Sequence, residues 1–248
     1  MNIKAASIKK KTGKHQPRGL TILHEDRDII VIVKPIGLLT VETHQEKTKT
    51  AYHMLDDYVR KGNPKSYNRV YVVHRLDKDT SGVLIFAKSE QVKDFLQENW
   101  AHTEKHYTAI LHGKLIEKEG TISSYLAENN AQRVYSTGDP TRGRLSHTAY
   151  KVLEESKEFS MVDVNLLTGR KHQIRVQFAE KGHPVVGDRK YGNSNTFSKR
   201  LALHARSISF THPFTHKSMT FDTGIIEDLK RLFHRLEGEE GRGKRERP

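Results

Sequence analysis

The sequence predicts an α+β fold, with a mixed, mainly antiparallel sheet and flanking helices. Three features point to it. Short apolar runs rich in Val and Ile alternate with turn clusters from Leu20 onward. Amphipathic segments fall between them at irregular intervals, which excludes the regular strand-helix alternation of a doubly wound parallel sheet. No segment repeats.

The run "DIIVIVKP" (28–35) follows the turn-like "HEDRD" and stops at Pro35, so it reads as a strand. "RVYVV" (69–73) and "GVLIFAKS" (82–89) read as strands on either side of a charged cluster. From Ser89 to about residue 102 the spacing of Val92, Phe95, Leu96 and Trp100 predicts a helix capped by Ser89. "KHYTAILHGKL" (105–115) returns to strand, and "LSHTAYKVLEE" with "FSMVDVNLLTG" (145–155 and 159–169) reads as a hairpin. "RKHQIRVQFAEKG" (170–182) predicts a helix ended by Gly182. Two strands around a Pro-containing turn follow in 201–221, and "IIEDLKRLFHRLE" (225–237) is an amphipathic terminal helix. The expected organisation is a basic flexible arm over 1–19, one domain over 20–237 and a charged tail over 238–248.

Composition narrows the class of function. With 248 residues, 35% of them hydrophobic, and a mean hydropathy of -0.72, the chain reads as a polar globular protein with one sizeable core. No run approaches the roughly 18 apolar residues of a membrane span, and the basic N-terminus has no apolar segment after it. A cytoplasmic protein with no membrane partner is the expectation. The absence of cysteine agrees with it and excludes disulfide scaffolds and thiolate zinc sites.

Charge gives the strongest global signal: 43 Lys and Arg against 30 Asp and Glu leave a formal +13. Such an excess attracts polyanions, nucleic acid first. The basic residues are spread through the N-terminal arm, "GRKHQIR", "GDRKYG" and "GKRERP", so one charged tail does not account for them.

Several chemistries fail for want of residues. Neither phosphate-cradling glycine pattern is present. "HTEKH" (102–106) sets two histidines at helical spacing, but its glutamate is misplaced for a zinc helix, and a base deaminase would need cysteines. The cluster "HRLDKDTSG" (74–82) remains. A side chain at a strand end is held by the sheet yet reaches solvent, which suits a single reactive carboxylate at Asp77. Read locally, the same residues serve equally well as a structural turn in which Asp77 pairs with Arg75 or caps the turn at Thr80 and Ser81, and Asp79 reads as a solvated or capping loop residue.

"HRLDKDTSG" resembles the signature of the RluA-type family of RNA pseudouridine synthases. "IIVIVKPIGLLT", "KHYTAILHG", "LLTGRKHQIRVQF" and "GHPVVGDRKYG" with "LALHA" resemble its other landmarks, in the family's order, over about 22 to 205. The resemblance implies that family's fold with a central catalytic cleft. It also implies its reaction: uracil is detached from C1′ through N1 and reattached through C5 after the uridine is flipped out of the RNA. Asp77 matches the catalytic aspartate, Tyr107 the active-site tyrosine and Arg175 the basic partner of the aspartate. Arg75 matches the arginine beside the flipped base, and Thr80 belongs to the turn that presents these groups. His74 is expected to contact RNA or support the loop, and Arg170, Lys171, Arg189 and Lys190 to contact phosphates. No metal or organic cofactor is implied, and a monomer acting on rRNA or tRNA is the expectation.

The sequence departs from the family pattern at Gln177, where a histidine is frequent, and in "TVETHQEK" after the K-P-x-G turn. A basic stretch of about twenty residues precedes the first strand where many members carry an S4 RNA-binding domain, so the arm is expected to supply nonspecific RNA affinity. Two rival functions stand beside this one. A noncatalytic RNA-binding protein keeping the fold is disfavoured by intact Asp77, Tyr107 and Arg175. A hydrolytic glycosidase would want a second placed carboxylate, for which Asp79 is poorly suited.

Overall fold

A computed structural model describes residues 2–4, 17, 19–192 and 198–242. The chain forms two compact units, Met1–Glu104 with Ala205–Gly224, and Lys105–His204 with Ile225–Pro248. Both combine antiparallel strands with packed helices, the expected α+β class. Among the described residues no helix is long and apolar enough to cross a membrane.

In the first unit, β1 (Asn2–Lys4), β2 (Thr21–Glu25), β3 (Ile29–Lys34), β4 (Tyr71–Val72), β5 (Ser81–Ala87), β11 (Leu203–Thr211) and β12 (Ser218–Asp222) form the sheet. Strands β2, β3, β5 and β11 lie side by side, β12 extends from β11, and β1 pairs in parallel with β12. The start of the basic arm is therefore a strand; residues 5–16 and 18 of that arm lie outside the described residues. Ile29, Ile30, Val31 and Ile32 are all fully buried, so β3 is covered on both faces and shows no alternation. Each such side chain contributes roughly 1.5–3 kcal/mol by leaving water.

Two helices belong to this unit. Helix α2 (Glu90–Glu98) starts where the Ser89 hydroxyl accepts the Val92 N–H, and buries Val92 and Leu96. It stops at Asn99 and gives way to a tight 3-10 turn at Trp100–His102, short of the continuous helix expected to residue 102. Helix α1 (Ala51–Arg60), absent from the sequence reading, is capped by the Thr50 hydroxyl on the His53 N–H and ended by Lys61 in the left-handed region.

The second unit is built on β6 (Glu104–His112), β7 (Glu119–Glu128), β8 (Val134–Thr137), β9 (Arg144–Glu155) and β10 (Phe159–Leu166), ordered β6-β10-β9-β7-β8 and all antiparallel. The hairpin expected over 145–169 is β9–β10, with a bulge at Met161/Val162. Helices α3 (Gln173–Glu180) and α4 (Glu227–Arg242) pack on this sheet through Ile174, Phe178, Leu229, Leu232, Phe233 and Leu236. Helix α4 runs into the segment expected to be tail, and residues 243–248 lie outside the described residues.

Candidate active site

In the first unit, two sequence motifs meet. The loop after β4 carries His74, Arg75, Asp77 and Thr80, and the turn after β3 carries the K-P-x-G residues 34–37. The Lys78 carbonyl accepts both the Gly37 N–H (2.9 Å) and the Lys34 ammonium (3.1 Å). Lys34 is wholly buried, and its ammonium also donates to the carbonyls of Pro35 and Leu38. Thr40 clamps the same loop by exchanging hydrogen bonds with Leu76, as donor to its carbonyl and acceptor from its N–H.

The loop closes on itself through the Thr80 N–H, which donates to the Asp77 carbonyl at 3.1 Å. Gly82 then enters β5 at φ 130°, where an added Cβ would stand 2.2 Å from the Ala205 carbonyl oxygen, so only glycine fits. Asp77 is half-buried, Arg75 exposed and Thr80 buried. The His74 ring accepts the Ile85 N–H at Nε2 and packs against Trp100 with centroids 4.6 Å apart. His74 thus supports the loop.

Lys34 was not singled out in the sequence, where it reads as the last residue of a strand. Burial pushes its ammonium down to about 8, against the charges of Asp79 and Asp77, which favour the proton. An unfolded lysine keeps its proton to about 10.4, so the unfolded chain holds more protons between these values and this group makes stability rise with pH there. Over that window the gain is about 3 kcal/mol. Lys34→Met is expected to abolish this rise. At pH 7 it should also lower stability by about 2 kcal/mol, because three carbonyls lose a donor. Denaturant unfolding at a series of pH values measures both.

In the second unit the basic residues gather around α3. The helix starts at Gln173 rather than at Arg170, because His172 is left-handed (φ 55°) and the Gln173 side chain accepts the Arg170 N–H at 3.0 Å. Arg170 and Lys171 consequently lie in an exposed turn, with Lys171 paired to Glu128. Buried Arg175 makes a two-pronged pair with Asp188, Nε to Oδ2 at 2.7 Å and Nη2 to Oδ1 at 2.9 Å. Asp188, unremarked in the sequence, also accepts the N–H groups of Lys190 and Tyr191.

Arg189 is exposed, and the Lys190 ammonium donates to the Gln132 carbonyl. Tyr107 is half-buried on β6 opposite Val164, with its ring against the core. Gln177, the departure from the family pattern, is buried, and its amide donates to the Ser124 hydroxyl at 2.9 Å and the Ser146 carbonyl at 3.1 Å. The predicted residues therefore fall into two sets, His74, Arg75, Asp77 and Thr80 in one unit and Tyr107, Arg170, Lys171, Arg175, Arg189 and Lys190 in the other.

Among the described residues two donor groups could hold a metal ion, Glu154 with His234 and Glu237 in the second unit and another in the first. The histidines of "HTEKH" do not share a helix: His102 ends the 3-10 turn, while His106 lies in β6 with Nδ1 2.9 Å from an Asp163 oxygen. Asp26, Asp28 and His212 cluster in the first unit. There His212 Nδ1 accepts the N–H groups of Phe214 and Thr215, leaving the ring proton on Nε2, which faces Asp26 Oδ2 at 3.2 Å. The group is a hydrogen-bonded clasp between two turns.

The sequence pattern described as RNA pseudouridylate synthase matches residues 28–180, more than half of the chain. The chain belongs to the RNA pseudouridine synthase family. An uncharacterised RNA pseudouridine synthase of Bacillus subtilis (strain 168) is 34% identical over 223 residues, covering 86% of this chain and 71% of that protein. Ribosomal large subunit pseudouridine synthase D of Blochmanniella floridana is 33% identical over 231 residues, with the same coverage. Among solved structures, human RNA pseudouridylate synthase domain containing 4 superposes with a TM-score of 0.72 at 22% identity, covering 87% of this chain and 92% of that one. Human RNA pseudouridylate synthase domain containing 1 gives 0.66 at 25% identity, with 91% and 97% covered. The RluA-type assignment made from "HRLDKDTSG" agrees with these relatives. As a pseudouridine synthase the chain is an isomerase that converts uridine to pseudouridine within RNA.

Proposed function

We propose that this pseudouridine synthase acts on one or more uridines of rRNA or tRNA through the carboxylate of Asp77, as a cytoplasmic monomer that needs no metal or organic cofactor. The observation that carries the assignment of Asp77 is its mounting. A buried lysine and the K-P-x-G turn hold the same Lys78 carbonyl, one residue beyond it, and the Thr80 N–H fixes its own carbonyl. Backbone fixed on both sides of the Asp77 carbonyl gives its carboxylate a defined starting point from which to reach a substrate.

Asp77 either bonds to C1′ or removes a proton from the sugar, while uracil departs as a delocalised anion through N1. The base rotates and C5 bonds to C1′ as the Asp77–C1′ bond breaks or, on the other route, as the abstracted proton returns to the sugar; the proton on C5 is then lost and N1 takes one up. Tyr107 is the residue assigned to stack on the base and to help remove that proton. Arg175 is assigned to favour the ionised aspartate, Arg75 to sit beside the flipped base, and Thr80 to hold the turn. Arg170, Lys171, Arg189 and Lys190 are the assigned phosphate contacts. An rRNA target is favoured by two relatives, 33% and 31% identical, whose names specify the ribosomal large subunit.

The purified protein is expected to release tritium from cellular RNA labelled at uridine C5 and to release no free uracil. Mapping pseudouridine in rRNA and tRNA from cells with and without the gene should then show the position lost. Binding without tritium release would identify a noncatalytic RNA-binding protein, and free uracil would identify a hydrolytic enzyme.

A further inference from the structure

A single phenol ring in the second unit is surrounded by cations. The guanidinium carbon of Arg133 lies 5.0 Å from the centroid of Tyr191, that of Arg175 5.2 Å, and the Lys190 ammonium 5.9 Å. The Tyr191 hydroxyl is held at the same time by the Val134 N–H (3.1 Å) and by His172 Nδ1 (2.7 Å). Cations attract an aromatic face, but three around one ring also repel one another. Burial lowers the proton affinity of Lys190, and Lys171, Arg175 and Arg133 lower it further.

Acids balance only part of this charge. Asp188 is committed to Arg175, and Glu128 to Lys171. Among the described residues no carboxylate pairs with Arg133 or with Lys190, whose ammonium is bound instead to the Gln132 carbonyl at 2.8 Å. The backbone of Arg133 is fixed although the residue is exposed. It closes the β7–β8 turn, where Asn129 Oδ1 accepts its N–H (2.9 Å) and its carbonyl accepts the Asn129 N–H (3.0 Å). Gln132 beside it is left-handed at φ 55°, and the Lys190 bond ties this turn to the 188–191 segment.

We propose that Arg133 and Lys190, held against the Tyr191 ring, form a subsite for one phosphodiester of the RNA substrate. The inference deepens the RNA-modifying reading and rests on RNA being the substrate. Two preplaced cations without carboxylate partners offer an anion a site whose ordering cost is met in the folded protein. A guanidinium also presents paired N–H donors that match two phosphate oxygens. Tyr191 is the positioning residue, since its ring and hydroxyl set Arg133, Lys190 and the turn together. Nothing in the sequence marked Arg133, which stands in the polar stretch "ENNAQRVYST".

The test measures binding of a fluorescein-labelled oligouridylate over a series of KCl concentrations. For Arg133→Gln, an exposed position where folding is safe, the slope of log affinity against log salt is expected to shrink by about one, and affinity at moderate salt to fall several-fold. Arg231→Gln, exposed on α4, removes the same charge elsewhere and is expected to keep the wild-type slope. An unchanged slope in Arg133→Gln, or an equal reduction in Arg231→Gln, overturns the subsite. Tritium release by the wild-type preparation is scored separately. Its absence would sink the enzyme reading, whereas the salt slopes decide the subsite in either case.

Discussion

Asp77→Asn is expected to lower tritium release from uridine-labelled RNA by about 10³-fold or more, while RNA affinity stays within a few-fold of wild type. The substitution keeps the shape of the side chain and the backbone bond from Thr80 to residue 77. What it removes is a charge and a nucleophilic or basic oxygen pair. One secondary effect needs a control, since the Asp77 charge also helps Lys34 keep its proton. Asp79 contributes to Lys34 in the same sense and more strongly, yet it lies exposed in the loop. Asp79→Asn therefore matches the electrostatic disturbance without touching the assigned carboxylate, and it is expected to retain activity within about tenfold. Equal losses in the two variants would mean that loop charge, not the Asp77 carboxylate, governs the reaction. A tritium-release rate for each variant, with a binding curve on the same RNA, separates these outcomes.

The elements that were legible are those whose burial has one period. Strand β3 is apolar throughout, and the hairpin β9–β10 and helix α4 keep simple patterns, so their sequences declare them. Strand β7 was hidden because its buried residues Ile122 and Leu126 are four apart, a helical spacing. Ser124 between them supplies a hydroxyl to Gln177 instead of an apolar group, which interrupts the alternation. Helix α1 was hidden similarly, since buried Asp56, paired with Arg60 at 2.7 Å, replaces an apolar residue on its inner face. At the site, "HRLDKDTSG" was conspicuous because charges break two apolar runs. Lys34 was not, because its partners are backbone carbonyls, which no side-chain pattern records. Asp188 and Tyr191 act on residues brought close only by the fold, thirteen residues away for Arg175 and fifty-eight for Arg133.

Removing Asp188 is expected to have the largest effect on stability of any single change considered. Its side chain is fully buried and accepts four hydrogen bonds, two from Arg175 and one each from the N–H groups of Lys190 and Tyr191. Asp188→Ala takes this counter-charge from Arg175, a residue only 8% exposed, a change that costs about 3–5 kcal/mol. Burial alone would raise the affinity of Asp188 for a proton. The bonds from Arg175, its positive charge and the two N–H groups outweigh that and hold the carboxyl below its usual range. A depressed carboxyl stabilises the fold above the unfolded value of about 3.9 and ceases to do so as pH falls through the folded value. The stability curves of wild type and Asp188→Ala should accordingly lie well apart at pH 6 and converge below about pH 4. If they stayed apart in acid, the loss would come from the cavity and not from the charge pair. Adding Arg175→Met to Asp188→Ala removes the buried cation itself and should recover part of the stability, since an apolar side chain of similar length can occupy that site without a counter-charge. Activity should not return with it, because Arg175 is assigned to the aspartate: stability and catalysis would part company at this pair.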